Sequence, residues 1–302
     1  MSAGDVFDVS GCPGISFVDT GMYDTAEYGS VYVIDADRPA VVDTGTGTNY
    51  ERILDALEEH GIQPADLQAV LLTHVHLDHA GGAGLLAEAC PNADVYVHEL
   101  GARHVVDPER LVEGTKQAVG DQWQYYVEPT PVPEDRVVEL TDGDTVDLGS
   151  RTLTAHHAPG HTPHQVVFED HSCDAVLTAD AAGIWVRAQD RVRETSPPTD
   201  FDLEQCIDDV EMIRRLDPET LLYAHFGPGP ADTDAVLKEY EHVLRDWVAA
   251  VKREVIERHS EAAAIDHFAA TTTVEDVWGE HKARAETKMN VRGVLRYLNT
   301  RA

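Results

Sequence analysis

Apolar positions along this chain alternate between short β-branched runs and stretches that repeat every three or four residues. Residues 15–20, 30–35 and 40–43 are β-branched runs separated by Gly, Asp and Pro, and they predict strands. Ile53, Leu54 and Leu57 then recur at helical spacing until Gly61 ends the run. Residues 67–73 form a continuous apolar run, the pattern of a strand buried on both faces. A polar cluster at 73–82 leads into a small-residue helix that reaches Ala89 and stops at Pro91. Residues 95–98 read as another strand, and 100–128 as irregular helix. Strand patterns resume at 137–140, 145–148, 152–157, 166–169 and 175–178, followed by a helix at 202–216 and a buried strand at 220–224.

Two β-rich halves, each with helices, point to two packed sheets covered by helices on the outside. The pattern changes after Pro230. Leu237, Tyr240, Leu244, Trp247, Val251 and Val255 mark one long amphipathic helix over 232–258, and Val291, Val294, Leu295 and Leu298 repeat the pattern near the end. The expected organisation is a unit over residues 1–230 with a helical extension over 231–302 docked on it.

Charge changes the picture of where such a chain works. It has 302 residues, with 23 Lys plus Arg against 55 Asp plus Glu, a formal net charge of −32. Such a chain repels itself in dilute buffer. At about 1 M salt the Debye length falls to roughly 3 Å and most of that repulsion is screened. The composition reads as adaptation to a salt-rich, halophilic cytoplasm. It counts against a sequence-independent nucleic-acid binder, which needs cations on phosphates. No apolar run approaches a membrane span, and Met1 to Ser10 has no basic start followed by an apolar stretch, so neither membrane insertion nor export is expected. Cys12, Cys90, Cys173 and Cys206 are scattered without a C-x-x-C pair and read as reduced thiols.

The chemistry concentrates in Thr73-His74-Val75-His76-Leu77-Asp78-His79, which places four ligand-type side chains in six positions directly after a buried strand. Alternation puts His74 and His76 on one side of an extended segment, while Asp78 and His79 fall in the turn, able to face a second ion. Gly81 and Gly82 are expected to let the backbone turn sharply into the next helix. Three later residues fit the same scheme. His161 stands in P-G-H-T, Asp180 ends the run V-L-T-A-D, and His225 ends L-L-Y-A-H. Taken singly, each is an ordinary solvated strand end; beside the first cluster they read as further ligands.

The run T-H-V-H-L-D-H-A-G-G, then P-G-H-T, T-A-D and A-H-F-G, resembles the metallo-β-lactamase superfamily and, within it, the glyoxalase II-like hydrolases. The resemblance spans about Gly14 to Pro230. It implies an α/β fold, a four-layer αββα sandwich with the site at one edge of the sheets. It also implies a division of ligands: His74, His76 and His161 for one ion, Asp78, His79 and His225 for the other, and Asp180 as the bridge. The segment V-V-D-T-G matches too, and implies that Asp43 orients a ligand histidine. His164 is a candidate for supporting a ligand from behind or for substrate contact. Tyr23, Tyr28, Trp185 and Phe226 are candidate pocket walls.

Such a donor set suits two divalent ions, zinc first, with iron or manganese as alternatives. Two ions sharing a water would make it a nucleophile without help from Ser or Cys, with Asp78 and Asp180 closest to the chemistry. The expected activity is a binuclear metal-dependent hydrolase acting on a small ester or thioester through a metal-bridging hydroxide. The alternatives are a lactonase, a mononuclear iron persulfide dioxygenase, or a nuclease of the same superfamily. A homo-oligomer is compatible with the tail. From the charge balance we expect the protein to lose structure on transfer from molar to millimolar salt; superimposable circular dichroism melts in the two buffers would contradict that.

Overall fold

The computed structural model describes residues 1–301. Two sheets form the centre of the molecule. The first is built from β1 (Val6–Asp8), β2 (Ile15–Asp19), β3 (Ser30–Ile34), β4 (Ala40–Val42), β5 (Ala69–Leu71), β6 (Asp94–His98) and β7 (Val137–Leu140), in that spatial order. Its first four strands are antiparallel neighbours; β4 through β7 run parallel. The parallel part needs crossovers, and helices α1 (Glu51–Glu59) and α3 (Ala83–Ala89) supply two of them. Between these lies α2 (Leu77–Ala80), a single turn, and after β6 come α4 (Glu99–Val106) and α5 (Glu109–Val119).

The second sheet contains β8 (Thr145–Asp147), β9 (Thr152–His157), β10 (Val166–Asp170) and β11 (Ala175–Ala179). After a two-stranded ribbon, β12 (Ile184–Val186) with β13 (Arg191–Arg193), it is completed by β14 (Thr220–Tyr223) and β15 (Gly227–Pro228) in the order β15-β14-β11-β10-β9-β8. Helix α6 (Leu203–Leu216) makes the crossover between parallel strands β11 and β14. The chain ends in α7 (Thr233–Arg258), α8 (Glu261–Ala270), α9 (Glu275–Trp278) and α10 (Glu280–Thr300). No helix among the described residues is long and apolar enough to cross a membrane.

Strand alternation explains the layering. Phe17, Tyr32, Ile34, Val42 and Leu71 of the first sheet meet Leu153, Val166, Phe168, Leu177 and Leu222 of the second in one apolar cluster between the sheets. The intervening positions face outward. Val18, Val31, Val33 and Val41 pack with Ile53, Leu57 and Leu86 of the helices on one side. Val167, Val176, Leu221 and Tyr223 pack with α6, α7 and α10 on the other. A period of two on strands buried on both faces thus yields four layers, α/β/β/α. The helix read from 232–258 appears as α7, and α7 and α10 share one apolar cluster with the second sheet. Helices α8 and α9 were not signalled by apolar periodicity. Of the apolar run at 67–73, Ala69–Leu71 form the strand, while Leu67 and Leu72 on either side are buried in the cluster with the outer helices.

Phe168 is fully buried at the centre of the inter-sheet layer. Phe168→Ala is expected to lower unfolding free energy by about 3–5 kcal/mol, read as a shift of the urea midpoint at constant salt. A loss below about 1 kcal/mol would mean that this layer is not the tightly packed centre of the fold.

Candidate metal centre

All the candidate ligands gather at one end of the sandwich, where strands release the chain from the sheets. Asp43 follows β4, Thr73 and His74 follow β5, Asp180 follows β11, and His225 follows β14. His76 precedes α2, which carries Asp78 and His79, and His161 lies in the turn between β9 and β10. Gly81 and Gly82 form the turn between α2 and α3, but both have ordinary helical φ, so no special backbone angle requires glycine there. Close packing requires them instead: a Cβ on Gly81 would stand 2.7 Å from the Thr46 carbonyl carbon, and one on Gly82 2.8 Å from the Thr44 carbonyl oxygen.

The donor atoms face each other at short range. His74 Nε2 and His161 Nε2 each lie 3.1 Å from His76 Nδ1, and His161 Nε2 is also 3.1 Å from Asp180 Oδ2. Asp180 Oδ1 lies 3.7 Å from His79 Nε2 and 3.6 Å from His225 Nε2, which is 3.9 Å from Asp78 Oδ2. Three groups of donors each fit within 4.8 Å: His74, His76 and His161; His74, His79 and Asp180; Asp78, His79 and His225. One proton cannot satisfy His76 Nδ1 against two imidazole nitrogens at equal distance. Among the described residues His79 Nε2 and Asp180 Oδ1 are buried without any hydrogen-bond partner, a costly state unless something else fills the gap. Lone pairs converging in this way form a donor set that could hold divalent cations.

The outer atoms of the same rings are anchored. Asp43, held at φ 62°, accepts from the Thr73 backbone N–H at 2.8 Å, from the Thr73 hydroxyl at 2.9 Å and from His79 Nδ1 at 2.9 Å. Asp is one of the few residues that tolerate this left-handed conformation. Thr73 Oγ1 lies 3.1 Å from His74 Nδ1, and His225 Nδ1 donates to the Tyr28 carbonyl at 2.9 Å. Each contact turns an Nε2 lone pair inward. The Gln165 side-chain oxygen accepts from the Asp180 backbone N–H at 3.3 Å, and Thr195 Oγ1 lies 3.4 Å from Asp180 Oδ2.

Electrostatics follow from this crowding. Burial, reinforced by neighbouring imidazoles, holds His74 and His161 well below the usual histidine range, so both rings are neutral and ready to donate a lone pair. Burial alone would do the same to His79, but the carboxylates of Asp43, Asp180 and Asp78 outweigh it and raise its pKa to about 10. Burial raises the Asp180 carboxyl. The carboxylates here call for a positive charge, which a proton on His79 supplies and a cation would supply better.

The centre opens into a cavity of about 420 Å³. His76, Asp78, His161, Asp180 and His225 form its floor, and Tyr23, Tyr28, Leu77, Leu111, Ile184 and Met289 give it a largely apolar wall. His164 also lines it, with Nε2 3.1 Å from Thr162 Oγ1 and Nδ1 3.4 Å from the Val75 backbone nitrogen. Of the four aromatic residues expected at the wall, Tyr23 and Tyr28 are there. Trp185, on β12, packs in the cluster with α6 and α7, and Phe226, in the turn between β14 and β15, lies between the sheets. Arg110 of α5 and Glu286 of α10 line the cavity as well, and no motif in the sequence marked either.

Comparison with known proteins places this arrangement. The family description "Metallo-beta-lactamase superfamily" matches residues 24–225. The metallo-beta-lactamase fold-containing protein ST1585 of Sulfurisphaera tokodaii is 26% identical over 226 residues, covering 72% of this chain and 79% of that protein. The crystal structure of ST1585 from Sulfolobus tokodaii superimposes with a TM-score of 0.71 at 21% identity, over 94% of this chain and 99% of that one. The acyl-coenzyme A thioesterase MBLAC2 of Gallus gallus is 28% identical over 184 residues, 55% of this chain and 62% of that protein. A hydroxyacylglutathione hydrolase of Bdellovibrio bacteriovorus is 28% identical over 160 residues, 52% of this chain and 48% of that protein. The chain therefore spans about half to two thirds of the length of these two enzymes.

One anchor has no motif in the sequence to mark it. Asp209 of α6 accepts the Gly160 backbone N–H at 2.7 Å and so holds the turn that carries His161. Glycine is required there, since a Cβ at 160 would lie 2.2 Å from the Cys206 nitrogen. Burial pushes the Asp209 carboxyl up to about 7, against the pull of that N–H. Its folded pKa exceeds its unfolded one, so its contribution is complete below about pH 4 and is lost as pH rises through about 7. Unfolding free energy of the native protein should therefore fall between pH 5 and pH 8 by roughly 2–3 kcal/mol more than that of Asp209→Asn. Parallel pH dependences of the two urea midpoints would refute this.

Proposed function

This chain belongs to the metallo-beta-lactamase superfamily of metal-dependent hydrolases, and on that premise we propose that it hydrolyses a small ester or thioester at a two-ion centre. The observation that carries the reading is the convergence of seven ligand-type side chains on one place, five of them on the floor of a cavity with an apolar wall. Residues 1–230 would form the catalytic unit, with 231–302 a helical extension that closes part of the wall.

His74, His76 and His161 would hold one ion, and Asp78, His79 and His225 the other, with Asp180 lying against both groups. Zinc suits these nitrogen and carboxylate donors; iron and manganese share the preference less strongly. When bound, such ions supply Lewis acidity that brings the pKa of a water toward neutrality and polarises a scissile carbonyl. The protein's own contributions are orientation and exclusion. Asp43, Thr73 and the Tyr28 carbonyl keep the imidazole lone pairs aimed inward. Asp78 stays ionised because His79 and His225 outweigh the cost of burying it, which places a proton acceptor at the cavity floor. Asp43 and His164 would act from behind the ligands. Tyr23, Leu77, Leu111, Ile184 and Met289 offer an apolar lining to an acyl group and exclude bulk water.

Two relatives bear on the bond that is cleaved. MBLAC2 is named an acyl-coenzyme A thioesterase, and the Bdellovibrio relative a hydroxyacylglutathione hydrolase. Both names describe thioester hydrolysis, and the apolar wall suits an acyl chain larger than a hydroxyacyl group. The test is a parallel assay of S-acyl thiols, acyl esters and lactones at molar salt on metal-analysed protein. The expected result is about two zinc ions per chain, turnover of thioesters or esters, and at least a thousandfold loss in His76→Ala and Asp180→Ala. Preference for lactones, about one iron per chain, or full activity in Asp180→Ala would each overturn the proposal.

A further inference from the structure

Helix α10 starts far beyond residue 225, where the family match ends, yet it places three polar side chains against the centre. Glu286 is 5% exposed and Asn290 1%. Glu286 Oε2 accepts from the Tyr28 hydroxyl at 2.9 Å and from Lys282 Nζ at 2.8 Å, and its Oε1 accepts from Asn290 Nδ2 at 3.2 Å. The Lys282 ammonium is itself buried over two rings, 3.7 Å from the centroid of Tyr23 and 4.1 Å from that of Tyr28. Every polar atom of this cluster has a partner, and the cluster borders the cavity through Glu286.

The partners of Glu286 lead directly to the centre. Tyr28 packs its ring against His225, centroids 5.0 Å apart, and its carbonyl accepts the His225 Nδ1 proton. On the opposite side Asn290 Oδ1 accepts the Ser196 backbone N–H at 2.7 Å, next to Thr195, whose hydroxyl reaches toward Asp180. One carboxylate on α10 therefore bridges the segment that orients His225 and the segment beside Asp180. A buried ion pair is a weak source of net stability, and apolar residues of like size would fill the same space. What this arrangement supplies is position: the hydroxyl of Tyr28 has one place to go, and its ring and carbonyl follow.

We propose that Glu286 is a positioning residue for the ion held by Asp78, His79 and His225, acting through Tyr28. This rests on the two-ion reading above. Loss of the Glu286–Tyr28 contact frees Tyr28, relaxes the aim of His225 Nε2, and weakens that ion while leaving the one at His74, His76 and His161 in place.

The test is calorimetric titration of metal-stripped full-length protein with Zn²⁺ at molar salt, which reads each ion separately and needs no substrate. Tyr28→Phe keeps the ring and carbonyl and removes only the hydroxyl. It is expected to weaken one of the two ions about 10–100-fold, the usual effect of losing a partner behind a ligand, and to leave the other unchanged. A pair of double variants separates geometry from charge. Lys282→Met/Glu286→Gln keeps an acceptor for the Tyr28 hydroxyl and should bind both ions within about threefold of the native protein. Lys282→Met/Glu286→Leu removes the acceptor and should reproduce Tyr28→Phe. Native affinity for both ions in Tyr28→Phe, or equal weakening of both ions, overturns the inference while the two-ion reading stands. A native protein that takes up fewer than two Zn²⁺ overturns both.

Discussion

Imidazole lone pairs and carboxylates cannot be buried face to face at 3–4 Å unless positive charge sits among them. Much of this molecule's architecture serves that unfavourable convergence. His74, His76, His79, His161 and His225 come from three separate stretches of chain, and each is brought in where a strand or a turn ends at the same edge of the sandwich. The packed layer between the sheets makes this possible, because it fixes the strand ends relative to each other before any polar group has to be placed. The raised pKa of His79 is the local sign of the same constraint: three carboxylates near it favour positive charge at that position.

Ligand direction is set by a second ring of contacts that is nearly all backbone and short side chain. Asp43 ties the end of β4 to Thr73 and His79, and so couples the ends of β4 and β5 to the turn of α2. The Tyr28 carbonyl does the same for His225, and Asp209 does it for the turn bearing His161. These contacts also relate the tail to the centre. Helices α7 and α10 cover the second sheet as any outer layer would, but α10 adds Glu286 and Met289 to the cavity wall. The extension thus belongs to the site as well as to the core.

The acidic surface and the buried centre obey different rules. The net charge of −32 is spread over a chain whose exposed carboxylates face water, where salt screens them. The few carboxylates at the centre are shielded from salt and answer only to their immediate neighbours. Bulk composition therefore bears on the medium in which the protein is stable, and carries no information about the bond it cleaves.

How much was legible from the chain follows from what kind of interaction each feature rests on. The two-sheet layering was readable because alternation and apolar runs are local, as at residues 30–35 and 166–169. The metal-type ligands were readable because they stand in short, ordered motifs at strand ends, from His74 to His225. Contacts between residues far apart in the chain were not. Nothing near Asp209 announces that it holds Gly160, and nothing in the repeat of α10 separates Glu286 from an ordinary solvated acid. The turn at Gly81 and Gly82 was legible, but not the Thr44 and Thr46 backbone that crowds it and excludes a side chain. By itself the sequence determined which side chains could bind and roughly where strands would present them. Tertiary structure alone decided which partners stand behind them and what lines the cavity, since burial and orientation depend on residues far away in the chain, 258 positions in the case of Tyr28 and Glu286.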